Sequence, residues 1–244
     1  MEGLVNHTYR IEPFLEAERS GSGQIAHKLY LVRPHEAYFN ESIEAFEPPP
    51  QQFRAEARGD LPEVFRPDIF LISDYEHSRH FKTITKLVNY LVVFFNGVKL
   101  RYESVHYVRI VPRLVGVERV EYGRDTYEVM HGKDMVAEYT LTKFQSHIEG
   151  RLSDFLGADA VMLITGHSMV SVSTGRIRSG VAGIAMTGGM CTRRRVGQSL
   201  DVGRAFAGVV HLAHELAHIM GSSHDQAPPV PNIPGNQGAY HCRW

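Results

Sequence analysis

The chain has 244 residues, 43% of them apolar and 22% charged, with a formal net charge of -1 at pH 7. Those proportions belong to an ordinary globular protein of one large or two smaller domains, and so small a charge gives no electrostatic ground for a nucleic-acid or anionic-membrane partner. Apolar runs such as Leu91 to Phe95 fall far short of the length of a membrane span.

Residues 1–62 read as a separate unit. His7 to Glu12 and Ile25 to Arg33 are rich in aromatic and β-branched residues and flank a Ser-Gly-Ser-Gly turn at Ser20 to Gly23, which predicts a small β-rich segment. Pro48, Pro49 and Pro50 then stiffen the chain into an extended linker. Just beyond, Arg58-Gly59-Asp60 spells the integrin-binding tripeptide, but a lone copy outside a constrained loop is usually accidental, so integrin binding is not expected. The N-terminus shows neither a basic nor an apolar export region. Against that, Asn6-His7-Thr8 and Asn40-Glu41-Ser42 are glycosylation sequons, which matter only in a secreted chain.

From residue 63 strand and helix patterns alternate. Val64 to Ser73 predicts a strand. Phe81, Ile84, Val88, Leu91, Phe95 and Val98 recur at three- and four-residue spacing, which predicts an amphipathic helix over about 75–102. Val105 to Val120 alternates as one long strand, and 139–156 repeats the helical pattern. Ala158 to Thr165 is an almost continuous apolar run suited to a buried strand. Gly180 to Met186 predicts a further short strand and Val202 to Met220 a last helix. The expectation is an α/β layered domain over 63–244. Cys191 and Cys242 decide nothing about redox compartment: they could pair with each other, or each could have lost its partner.

That last helix carries the chemistry. His214-Glu215-x-x-His218-x-x-Gly221-x-x-His224 is an H-E-x-x-H-x-x-G-x-x-H motif, with a chance expectation of roughly 3 in 10,000 for a chain of this composition. Residues four apart lie one above the other on a helix, so His214 and His218 can present nitrogens to one ion with Glu215 beside them. A third ligand cannot easily come from the same face, so the helix must stop. Gly221 tolerates the left-handed conformation that ends a helix, after which His224 can return to the metal. Zinc held by three protein ligands keeps a fourth position for water, and Glu215 is placed to take that water's proton. The other architecture takes its third ligand from a downstream glutamate, and no glutamate follows His218. His211 shares the helical face and is expected to support the ligands rather than to be one.

The motif with Asp225 after it, the Gly188-Gly189-Met190-Cys191 segment before it, and Phe70-Leu71-Ile72-Ser73-Asp74 with its long helix resemble the reprolysin, or adamalysin-type, branch of the metzincin metalloendopeptidases. Arthropod salivary members are the nearest in character. The resemblance implies a twisted mixed sheet with long helices, a Zn2+ cofactor held by His214, His218 and His224, and Glu215 as general base. It further implies Asp225 as a buried supporting acid, and an edge strand at Ile184 and Ala185 that pairs with extended substrate. Extracellular proteins or peptides would be the substrates and the chain would be secreted. Cys191 matches a position that in the family joins a cysteine near the domain's end. Residues 1–62 would be a pro-domain remnant and linker, since Tyr9 to Val32 is similar to the end of the family's pro-domain. The family places a methionine turn after the third histidine. No methionine follows Met220, so the 63–244 catalytic domain is expected to be incomplete at its C-terminal end.

Overall fold

A computed structural model of the chain describes residues 3–4, 9–13, 26–31, 63–105, 108–173, 176–202, 204–222 and 224. Strands β1 (Gly3–Leu4), β2 (Tyr9–Pro13) and β3 (His27–Leu31) form an antiparallel sheet in that order, with Tyr9 opposite Leu31. The β-rich expectation for the N-terminal segment thus has strands at both places. The linker and Arg58-Gly59-Asp60 lie outside the described residues.

The larger unit is built on a five-stranded sheet. Its strands are β5 (Asp68–Ser73), β7 (Arg113–Arg119), β10 (Ala160–Thr165), β13 (Gly183–Ala185) and β14 (Val196–Leu200), in the order β13-β14-β10-β5-β7. The last four are parallel, and β13 runs antiparallel along the edge. A parallel sheet needs cover on both faces, and the alternation of side chains supplies two cores. Ile69, Leu71, Met162 and Ile164 pack beneath α2 (Ile84–Arg101) and α4 (Val209–Ile219). Ile72, Val161, Leu163 and Val196 pack against α3 (Ala137–Gly150) on the other side.

The expected strand over Val64 to Ser73 is two, β4 (Val64–Phe65) and β5, and the expected strand over Val105 to Val120 is β6 (Arg109–Ile110) and β7. Pro67 and Pro112 cause both breaks, because neither can donate to a ladder. The breaks fall side by side: β4 pairs with β6 before them, and β5 with β7 after.

The expected helix over 75–102 is also divided. Asp74 caps a short α1 (Tyr75–Ser78), its Oδ1 accepting from His77 N at 2.7 Å. Thr83 caps α2, its hydroxyl accepting from Lys86 N at 3.2 Å. Two caps nine residues apart give the chain two helix starts. Phe81, Leu91, Phe95 and Val98 are buried as their spacing predicts, joined by Leu87 and Phe94, while Ile84, in the first turn, is 48% exposed.

The helix expected over 139–156 is α3 followed by a 3-10 turn at Leu152–Phe155. The stretch Gly180 to Met186 serves two sheets. β12 (Arg176–Val181) belongs to a four-stranded sheet with β8 (Met130–His131), β9 (Asp134–Val136) and β11 (Met169–Ser173), whereas β13 lies in the main sheet. β14 had no apolar signature, yet Val196, Gly197, Gln198, Ser199 and Leu200 are all buried, with Gln198 Nε2 donating to Ala137 O at 2.9 Å. No helix among the described residues is long and apolar enough to cross a membrane.

Candidate metal centre

The helix that carries the motif begins at Val209, not Val202. Arg204 and Phe206 hold φ of 66° and 57°, so the intervening chain cannot be helical. Asp201 organises that approach. Its Oδ2 accepts from Tyr90 OH at 2.6 Å and lies 3.2 Å from His77 Nε2, while Oδ1 accepts from Gly208 N at 2.9 Å at the helix start. Burial opposes the Asp201 charge, but its bonds to His77, Tyr90 and Gly208 outweigh burial and hold the carboxyl below its ordinary value.

Along α4, Val209, Leu212, Ala213, Leu216 and Ile219 are buried, which fixes the helix rotation and turns the intervening His214 and His218 the other way. The helix ends in a Schellman motif. Gly221 has φ 101°, its N–H bonds His218 O at 2.8 Å, and Ser222 N bonds Ala217 O at 2.9 Å. The β13–β14 loop completes the end of the helix: Gly188 N donates to His218 O at 2.8 Å and Met190 N to Ile219 O at 3.1 Å. These bonds satisfy carbonyls that a helix terminus leaves orphaned.

The turn brings the three imidazoles together. Nε2 of His218 lies 2.9 Å from that of His214 and 3.0 Å from that of His224, and the His214–His224 pair is at 3.1 Å. A triangle with ~3 Å sides has a point about 2 Å from all three corners, the Zn–N distance, at a height of about 1 Å above its plane. His218 Nδ1 lies 2.7 Å from Ser222 O. A proton on Nδ1 completes that bond and leaves the Nε2 lone pair facing the common point. Burial, then the neighbouring imidazoles, push His214 down to about 3. Burial pushes His218 down to about 4. Both are therefore neutral at physiological pH, and three imidazole nitrogens converging at this distance fit a cation. His211 is not among them: its Nδ1 points to Leu200 O, 3.5 Å away.

Glu215 stands beside the triangle, 5% exposed, with Oε2 buried and unpartnered. Burial pushes its carboxyl well above the ordinary range. It packs on the edge strand: a Cβ added at Gly183 would stand 2.5 Å from Glu215 Oε1. Ile184 and Ala185 lie on that strand with both side chains buried. Leu200 N donates to Ala182 O and Met186 N to Val196 O. Bonded and non-bonded pairs alternate in an antiparallel ladder, so Ile184 faces β14 while the main-chain groups of Gly183 and Ala185 face the outer edge. Asp225 and Cys242 lie outside the described residues, and Cys191 is an exposed thiol 3.3 Å from Asp159 Oδ1.

Sequence reasoning passed over Gly183, Ser222 and the Gly188–Met190 amides. Only the Gly-Val-Ala-Gly run around Gly183 held a signal, as small residues mark close approach. The other contacts are made by main chain, on which composition is silent.

A three-imidazole centre on a helix beneath a mixed sheet, with a buried carboxyl next to the first ligand, is the scaffold of a metallopeptidase. The chain belongs to the M12B reprolysin-like metallopeptidase family, whose profile matches residues 88–225. It is 31% identical, over 76% of its length, to a Bombyx mori protein named as similar to a disintegrin and metalloproteinase with thrombospondin motifs, and covers 28% of that protein. It is 26% identical over 99% of its length to the venom metalloproteinase antarease of Tityus serrulatus, covering 64% of it. An antarease-like venom metalloproteinase of Tityus trivittatus matches at the same 26% identity and the same coverages, 99% and 64%. The chain thus spans less than two thirds of the length of each of these relatives.

Proposed function

We propose that residues 63–244 are the catalytic part of a secreted zinc metalloendopeptidase that hydrolyses peptide bonds of extracellular proteins. The observation that carries this reading is the Nε2 triangle of His214, His218 and His224, with sides of 2.9 to 3.1 Å, next to the buried Glu215 carboxyl. These three residues would hold Zn2+, which when bound would polarise the scissile carbonyl and acidify a water.

Glu215 acts as general base. It accepts a proton from the attacking water and passes it to the leaving amine. Gly183 and Ala185 offer main-chain donors and acceptors to an extended substrate, which adds as a strand at the edge of the sheet. Ile184 holds that edge by its buried side chain. Gly221 and Asp225 support the ligand turn. Residues 1–62 are the end of a pro-segment. They contain no cysteine, so any inhibition they exert is steric and not through a thiolate on the metal. The sequons at Asn6 and Asn40 and the venom naming of the Tityus relatives support secretion.

The competing reading is a metal-binding scaffold that cuts nothing. Digestion of casein or fibrinogen by wild type and Glu215→Ala separates the two. Chelator-sensitive cleavage that disappears in Glu215→Ala while bound metal is retained is the expected result. Wild type and variant equally inert, with metal retained, would overturn the proposal in favour of the scaffold.

A further inference from the structure

The parallel strands β10, β5 and β7 are neighbours, and each releases an ionisable group just past its carboxyl end. Asp74 follows β5, Asp125 and Glu128 lie in the loop after β7, and His167 lies two residues after β10. Crevices outside the carboxyl ends of parallel strands are where α/β sheets bind ligands. Here Asp74, Glu128 and His167 each present one donor atom, all within 4.8 Å of one another. His167 Nε2 is 3.5 Å from Glu128 Oε2. Tyr75 N, next to Asp74, donates to Asp125 Oδ2 at 3.3 Å and so draws Asp125 alongside.

The feature that calls for a ligand is unmet acceptor capacity. Asp74 is fully buried; its Oδ1 accepts from His77 N and Gly166 N, and the Thr165 hydroxyl lies close to the carboxyl, but Oδ2 has no donor aligned on it. Asp125 Oδ1 and Glu128 Oε1 are also buried without a partner. Carboxylate oxygens hidden from water with no donor are costly, unless a positive charge joins them.

We propose that Asp74, Glu128 and His167, with Asp125 beside them, form a second divalent-cation site, separate from the histidine triangle. Carboxylates with one imidazole favour a first-row cation of the Mn2+ or Zn2+ class over Ca2+ or Mg2+, which take oxygen donors. Its position, joining loops after three strands, makes it a clamp on that end of the sheet.

The test counts ions on the full chain after dialysis against Mn2+, for wild type, Glu128→Gln, His218→Ala and the double variant. The expected stoichiometries are two, one, one and none. Wild type binding a single ion that Glu128→Gln retains, or Glu128→Gln still binding two, overturns the proposal. Failure of the histidine triangle alone reads differently: wild type binds one ion, His218→Ala keeps it and Glu128→Gln loses it. Pulsed electron paramagnetic resonance of Mn2+ on His218→Ala keeps the question answerable if Glu128→Gln does not fold. Coupling to one imidazole nitrogen is expected, and coupling to none overturns the assignment.

Discussion

The carboxyl of Glu215 rests on the α-carbon of Gly183, so closely that a methyl group there would stand 2.5 Å from Oε1 and 2.6 Å from Cγ. The general base proposed for the reaction is therefore held by the strand proposed to hold the substrate. Gly183→Ala must push the carboxyl aside, since Cγ as well as the flexible end is in the way. The expected outcome is a loss of about 100-fold in kcat, the scale of a 1 Å misplacement, with metal content unchanged. Steady-state kinetics beside a metal assay check it; loss of metal along with activity would show that the triangle had moved instead.

Gly221 governs the third ligand. At φ 101° any side chain is strained, and the nearest atom outside the turn, Gly188 Cα, is 4.0 Å from where a Cβ would stand, so crowding is not the obstacle. Gly221→Ala should lower stability by about 1 kcal/mol and weaken metal binding more than His211→Ala does. Urea unfolding and a competitive zinc titration measure the two effects.

Asp201 is the buried junction of Tyr90, His77 and Gly208, three parts of the chain that reach it from α2, α1 and the start of α4. Its removal leaves three donors without their acceptor. Asp201→Ala is expected to destabilise the fold by about 3 kcal/mol or more, since three buried donors lose their acceptor at about 1 to 3 kcal/mol each. Tyr90→Phe loses the hydroxyl that donates to Asp201 and accepts from Phe206 N, and should cost about 2 kcal/mol. Equilibrium unfolding in denaturant gives both values.

The carboxyls of Asp74 and Asp125 set a pH dependence in the presence of chelator. Burial and neighbouring carboxylates raise Asp74 from 3.8 to about 6 and Asp125 from 3.8 to about 7. Between roughly pH 4 and pH 7 the folded protein thus holds protons that the unfolded chain has released, so the contribution of these groups to stability falls as pH rises through that window. Asp125→Asn cannot ionise. The difference in melting temperature, variant minus wild type, should grow as the pH is raised from 4 to 7; a constant difference would contradict the assignment.

Strand addition at β13 can be probed from the substrate side. Replacing one backbone amide of a cleaved peptide by an ester, where it pairs with Ala185, removes one hydrogen bond and no side chain. About 1 kcal/mol per bond corresponds to about a fivefold drop in kcat/KM, and an ester one residue along, facing away from the edge, should have little effect.

The motif was legible because its spacing is itself geometry: four residues on a helix and a glycine turn are enough to bring His214, His218 and His224 to one point. The edge position of Ile184 and Ala185 came from a resemblance, and the structure places them on the outermost strand of the main sheet. Less legible were features set by neighbours. β14 is buried because it lies between β13 and β10, not because Val-Gly-Gln-Ser-Leu is apolar. The breaks at Pro67 and Pro112 were visible as prolines, but the strand pattern on each side hid them. The grouping of Asp74, Glu128 and His167 had no local signature, since parallel pairing alone brings distant loops together.

The loop between β13 and β14 is moored at both ends. It leaves the sheet rim at Ala185 and, within a few residues, Gly188 and Met190 are bonded to the last turn of α4. A peptide lying along the rim would therefore load the same short tether that steadies His218. Occupancy of one and rigidity of the other become a single mechanical variable, and slow exchange of the Gly188 and Met190 amides would report on both.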